Sequence, residues 1–198
     1  MNSLICSVNR IIEIIKYTWK AKGRHGIHSP FVYDLIDKCF RKPISSQDIS
    51  KIHQETGIPK KVIRCMLQLL DHFHISHVYT NHVLLQEQTK GPNSTIQVHS
   101  IEHIYEKALT GGVIPVSIIY IDFKFHEDSL TNSVIHLLDM MPEESLILFG
   151  GIRQQDSSFV QWQQLISNPK IHLSADLYHL GILSKRSFQE KEHFVLRY

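Results

Sequence analysis

Residues 116–123 read VSIIYIDF and residues 145–149 read SLILF, with a helical pattern between them at 127–140. Two short runs rich in β-branched and aromatic residues, joined through one helix, are the unit of a parallel sheet, because neighbouring parallel strands need a crossover of about that length. The alternation continues in both directions. β-rich runs stand at 77–81 and 95–99 before this unit and at 170–176, 180–184 and 193–197 after it, with helical patterns at 101–110 and 156–167. This order predicts an α/β fold with a Rossmann-like, mostly parallel, doubly wound sheet. Only the turn-like segment 187–192 separates the last two runs, so 180–184 and 193–197 are expected to pair as an antiparallel hairpin at one edge.

Upstream the period is helical. Ile11, Ile12, Ile14, Ile15 and Trp19, set against Glu13, Lys16 and Lys20, predict an amphipathic helix over about 3–20 that ends at Gly23. Ser29 before Pro30 is an N-cap followed by proline at the first helical position, with Phe31, Val32, Leu35, Ile36 and Phe40 at helical spacing behind it. Ser45, Ser46 and Asp48 start a short helix to about Glu55, closed by Gly57 and Pro59. Val62, Ile63, Met66, Leu67, Leu69, Leu70 and Phe73 mark a further apolar helix over 60–73. The expected organisation is therefore a helical N-terminal extension, 1–60, followed by an α/β domain, 61–198. The polar stretch 86–94, QEQTKGPNS, is the expected loop.

With 198 residues, 42% of them hydrophobic, and a mean hydropathy of −0.13, the chain can bury the core of one ordinary domain. Its three cysteines, Cys6, Cys39 and Cys65, are widely spaced with no CxxC pair, which argues against a disulfide framework or zinc knuckle and for a cytoplasmic location. The short apolar stretch at 4–8 lacks the length and cleavage site of a signal peptide, and no window is apolar enough to span a membrane. The net charge of +2 is unevenly placed. Residues 1–42 carry eight Lys/Arg against three acids, a net +5, and the remainder is −3. Such a basic head suits an anionic partner or a solvated face.

Residues 20–36, KAKGRHGIHSPFVYDLI, resemble the N-terminal signature of a bacterial group of small class I S-adenosylmethionine-dependent methyltransferase-like proteins of the O-methyltransferase type. The tail agrees: SNPKIHLSADLYHLGIL followed by KEHFVLRY is similar to the closing strands of that group. SIIYIDFKFHEDSL and SLILFGGIR resemble its strand ends, and ISKIHQETGIPKKVIRCMLQLLDHFHISHVYTN the helix that leads into its first strand. The resemblance covers most of the chain. It implies a parallel sheet finishing in an antiparallel hairpin, a small-molecule substrate and S-adenosylmethionine as cofactor.

The departures fall where that cofactor would lie. The family closes its first strand with an acid and a Gly-rich turn, whose missing side chains let the backbone approach the ligand. Here Thr80 takes the place of the acid and His82 that of the first glycine. The run 95–109 reads either as a second strand with its helix or as a third. In the first case His99 and Ser100 replace the ribose-binding acid, with Glu102 as a displaced substitute; in the second the ribose-binding strand is missing. Asp122 is kept, but Phe123 and Phe125 flank it, and Gly150-Gly151 stands where the family has two acids that could help hold a divalent metal. The resemblance thus leaves Asn81, His82, His99, Ser100 and Asp122 as candidate cofactor contacts, and the cofactor is S-adenosylmethionine or none.

Asp122 and His126, at and after the end of a central strand, are the candidate catalytic pair, since open α/β sheets place ligands there. The alternative is that Glu127 and Asp128 simply begin a helix. His72, His74, His77 and His82 have neither i,i+4 spacing nor an HExxH motif, so no metal site is expected. Arg24, His25 and His28 form either an electropositive entrance or a structural clasp between helices, and the clasp is the reading adopted. The expected function is a methyltransferase-like protein with a degraded cofactor site and weak or no activity. The alternatives are an active O-methyltransferase with altered contacts, and an anionic-surface or nucleic-acid binding module built on the basic head, nucleic acid being the less favoured partner.

Overall fold

A computed structural model describes residues 2–23, 27–87, 96–123 and 130–198. Helix α1 (Asn2–Lys20) comes first. Helix α2 (Pro30–Asp34) follows and widens into a π-helical turn, Leu35–Cys39, where the Phe40 N–H reaches back to the Leu35 carbonyl at 2.8 Å. Ser29 precedes α2 in extended conformation with Pro30 at the first position, as the sequence predicts. Helix α3 (Ser46–Thr56) is capped by Ser45, whose hydroxyl accepts the Asp48 N–H at 3.3 Å, and α4 (Lys60–His72) is the apolar helix expected there.

Among the described residues seven strands follow: β1 (His77–Thr80), β2 (Gln97–Ser100), β3 (Ser117–Asp122), β4 (Leu146–Gly150), β5 (Leu173–Asp176), β6 (Leu180–Ser184) and β7 (Glu192–Val195). Between them lie α5 (Val83–Glu87), α6 (Glu102–Leu109), α7 (Leu130–Met140) and α8 (Asp156–Ser167). The sheet order is β2-β1-β3-β4-β6-β5-β7. It is a mostly parallel, Rossmann-like sheet with an antiparallel hairpin, preceded by the helical extension.

Side chains alternate across the sheet and define its two faces. Ile118, Tyr120 and Leu148 pack with Val32, Leu35, Ile49, Ile63 and Leu69 from the helices before β1. Ile119, Ile121, Ile147 and Phe149 pack with Ile104, Val134, Leu137, Trp162 and Leu165 from α6, α7 and α8. The segment from Ile27 to Leu70 thus supplies most of one helical layer, which Leu85 joins from α5.

Two details differ from the sequence reading, and a third decides between two alternatives that it left open. The hairpin forms between β5 and β6, not between the last two strands. β6 lies antiparallel to both β4 and β5, and β7 pairs in parallel with β5 on the outside. A tight turn closes the hairpin, with the Leu177 N–H on the Leu180 carbonyl at 2.9 Å and Tyr178 at φ 70°. Both edges of β6 are taken, and β7 pairs on the free edge of β5. The short helix α5 was not expected, and it absorbs the start of the loop assigned to 86–94, the rest of which lies outside the described residues. Finally, β2 hydrogen-bonds directly to β1, so the run 95–109 is a second strand with its helix, and no strand lies beyond β2 among the described residues. Gly181 lets this end of the sheet close: a Cβ there would meet the Trp162 ring at 2.5 Å.

Candidate functional site at the carboxyl ends of β1 and β3

β1, β2, β3 and β4 run in the same direction, so Thr80, Ser100, Asp122 and Gly150 finish on one edge of the sheet. This is the edge where open α/β sheets receive ligands. Here the chain's own side chains occupy it. The Asn81 amide Nδ2 donates to the Asp122 carbonyl at 3.2 Å while its Oδ1 accepts the Asp122 N–H at 2.9 Å, a two-bond clasp from the end of β1 to the end of β3. The Thr80 carbonyl accepts from Gln86 Nε2 at 2.8 Å and from the Ile101 N–H at 3.2 Å.

His82 is 3% exposed. Its Nδ1 accepts the Leu85 N–H at 3.3 Å and its own N–H donates to the Thr80 hydroxyl at 3.0 Å. In place of an open glycine turn, the imidazole therefore caps α5 and fixes the chain against the end of β1.

At β3 the closure is aromatic. The Tyr120 hydroxyl lies 3.5 Å from Asp122 Oδ2, on the same face of the strand. A Cβ on Gly150 would fall 2.3 Å from that hydroxyl and 2.9 Å from the ring carbon bearing it, so Tyr120 fills the space a β4 carboxylate would need. Burial, together with the Asp122 charge, holds the Tyr120 hydroxyl well above its ordinary pKa. Phe123 turns to the opposite face and packs on Phe149 at 5.5 Å. Sequence reasoning did not reach Tyr120 or Gln86; the signal for Tyr120 was its position two residues before Asp122, which puts both on one face.

The other candidates separate. Ser100 lies beside Thr80 in register and is part-buried. His99 points to the opposite face, where its ring sits 5.3 Å from Tyr79, 6.0 Å from His77 and 5.2 Å from His103. Burial, reinforced by the neighbouring imidazoles and Lys107, lowers its pKa. It is therefore not part of one constellation with Asn81, His82 and Asp122. His126, Glu127 and Asp128 lie outside the described residues, as do Arg24 and His25. His28 is exposed. Beside that loop, the Lys22 N–H bonds the Val195 carbonyl at 2.8 Å and the Arg197 N–H bonds the Lys22 carbonyl at 3.0 Å, tying the start of the signature stretch to the C-terminal strand.

Among the described residues no group of three or more His, Cys, Asp or Glu side chains is arranged to hold a metal. His72 instead pairs with Asp34 at 2.6 Å. Cys39 and Cys65 are free and buried; burial pushes the Cys39 thiol up to about 12 and raises Cys65 well above its ordinary value, so neither is a ready thiolate near neutral pH.

A second buried polar group lies at the ends of β4 and β5. The Arg153 guanidinium binds Asp176 through two nitrogens, one at 2.7 Å, and also donates to the Tyr178 carbonyl at 3.1 Å. The Asp176 carboxylate also accepts the Tyr178 N–H at 2.8 Å. Rings of Phe159, Tyr178 and Tyr17 surround the guanidinium at 4.5, 5.2 and 5.4 Å. Tyr17 carries α1 into this cluster, and its hydroxyl donates to the Leu196 carbonyl.

Open space lies elsewhere. A cleft of about 720 Å³ runs between α3, α4 and the β1–β2 side of the sheet, lined by Ile52, Met66, Leu70 and Val98 among others. None of Asn81, His82, His99, Ser100 or Asp122 lines it. Sheet order and layers together define a three-layer, Rossmann-like α/β protein whose ligand-side edge is bonded to itself. Compared with known protein families, curated proteins and solved structures, the chain finds no match.

Proposed function

We propose that this chain is a non-catalytic relative of the class I S-adenosylmethionine-dependent methyltransferases, one that acts in the cytoplasm through binding or assembly. The terminal motifs support the kinship, and so does a sheet in which a single antiparallel strand sits among parallel ones near one end. The observation that carries the loss of catalysis is the closed turn after β1. An adenosyl ligand must lie close to the backbone there. The buried His82 imidazole and the Asn81 clasp to Asp122 stand in its way, and both would have to be broken to admit it. Gly150 with Tyr120 packed over it likewise leaves no carboxylate on β4 to join Asp122 around a divalent ion.

Isothermal titration of the purified chain with S-adenosylmethionine and with S-adenosylhomocysteine tests the reading. The expected result is no saturable heat with either ligand at concentrations up to about millimolar, where a binding free energy of roughly 4 kcal/mol would still register. Stoichiometric uptake at micromolar concentration would replace this reading with that of a working methyltransferase using altered contacts.

A further inference from the structure

Over residues 11–19, helix α1 turns its apolar stripe away from the protein. In a helix that belongs only to a soluble domain, that stripe faces the core. Among the described side chains of α1, Tyr17 turns inward: its ring meets Tyr178 edge-on at 5.1 Å and lies against Arg153. Ile11, Ile12, Ile15 and Trp19 fall within one arc of about 100° at helical spacing, on a different side from Tyr17. They are 56, 43, 51 and 88% exposed. A contiguous apolar patch of this kind marks a surface that is covered by something else.

We propose that α1 docks the protein peripherally on an anionic lipid surface, lying in the plane of the headgroups. Charge selects this occupant over a second copy of the chain. From α1 to just beyond its end, Arg10, Lys16, Lys20 and Lys22 stand against Glu13 alone. Lys38, Arg41 and Lys42, by contrast, are neutralised internally: Lys38 pairs with Asp34 at 2.7 Å, Arg41 with Asp37 at 3.6 Å and Lys42 with Asp71 at 2.6 Å. Lys16, Lys20 and Lys22 are exposed. Lys16 and Lys20 border the apolar arc, and two copies packed through that arc would bring like charges together, whereas anionic headgroups complement them. Trp19 lies within the apolar arc and, along the helix, beside Lys20, and its amphipathic ring suits the boundary between acyl chains and headgroups. No helix among the described residues is long and apolar enough to cross a membrane, which fits a helix that lies on the surface. Docking through α1 requires nothing of the strand ends at Asn81 and Asp122.

The test is co-sedimentation of the full chain with extruded vesicles of phosphatidylcholine alone, or of phosphatidylcholine and phosphatidylglycerol in equal parts. Binding is expected to the anionic vesicles only, weakening as salt is raised. Ile15→Asp combined with Trp19→Asp should abolish it, and Lys16→Gln combined with Lys20→Gln should weaken it by about fivefold per lysine. These side chains are exposed, and the salt dependence of the unaltered protein gives a second readout that needs no variant. Absence of binding, equal binding to neutral vesicles, or binding that survives Ile15→Asp/Trp19→Asp would overturn the proposal. So would sedimentation equilibrium showing a dimer that the same pair of substitutions dissolves, since a second copy would then be the occupant.

Discussion

Replacing Arg153 by methionine should unfold this protein far more readily than replacing any exposed basic residue. The side chains of Arg153 and Asp176 are 8% and 2% exposed, so the pair is shielded from the solvent that would otherwise screen it. Arg153→Met removes both guanidinium bonds from the carboxylate and leaves it one donor, the Tyr178 N–H. Removing one partner of a buried pair costs about 3–5 kcal/mol, much of it from the charge left behind. For a chain of this size that is a fall in Tm of roughly 6–20 °C. Asp176→Asn should cost less, because Asn can still accept from Tyr178 and the guanidinium retains the Tyr178 carbonyl and three aromatic rings. In the double variant no charge is stranded. It should lie at least about 2 kcal/mol above the sum of the single losses in a guanidinium chloride denaturation cycle with unchanged slopes. An Arg153→Met loss under about 1 kcal/mol, or additivity within about 0.5 kcal/mol, would refute the view that this pair is a buried, coupled unit.

Two further outcomes follow from the same packing. Gly150→Ala should destabilise by about 1–3 kcal/mol, because the new methyl meets the Tyr120 hydroxyl, and Tyr120→Phe in the same chain should recover part of that loss; thermal melts of the three variants check it. Stability should also decline as pH falls below about 6.5, because burial favours the neutral rings of His77, His99 and His193 and so puts their folded-state pKa below that of the unfolded chain. The contribution is fully present above the unfolded value and is lost as the unfolded chain takes up protons that the fold resists. Tm measured between pH 7.5 and 5 should fall in the native chain and fall less in His99→Gln, a window above the one in which the ion-paired carboxylates of Asp34 and Asp139 titrate.

The positions of seven strands and the helical extension were legible in the amino-acid order because they rest on local signals. A period of two or of 3.6, an N-cap at Ser45 and a proline at Pro30 act within a few residues, and they persist whatever the rest of the chain does. Thr80, Asn81, His82, His99 and Asp122 were legible as strand-end residues for the same reason. The face that the His99 ring takes was not, because it depends on the register of β2 with β1, and a shift of one residue sends the ring to the other side.

Pairing and filling were decided by the tertiary structure. That β6 pairs with β4, that Tyr120 takes the space beside Gly150, and that Arg153 meets Asp176 are contacts between residues distant in the chain, and the outward face of α1 is what such contacts leave uncovered. Each depends on which groups compete for the same space or the same unpaired hydrogen-bonding group once the layers close. Local order can name the pieces, but only packing determines which of them share a volume.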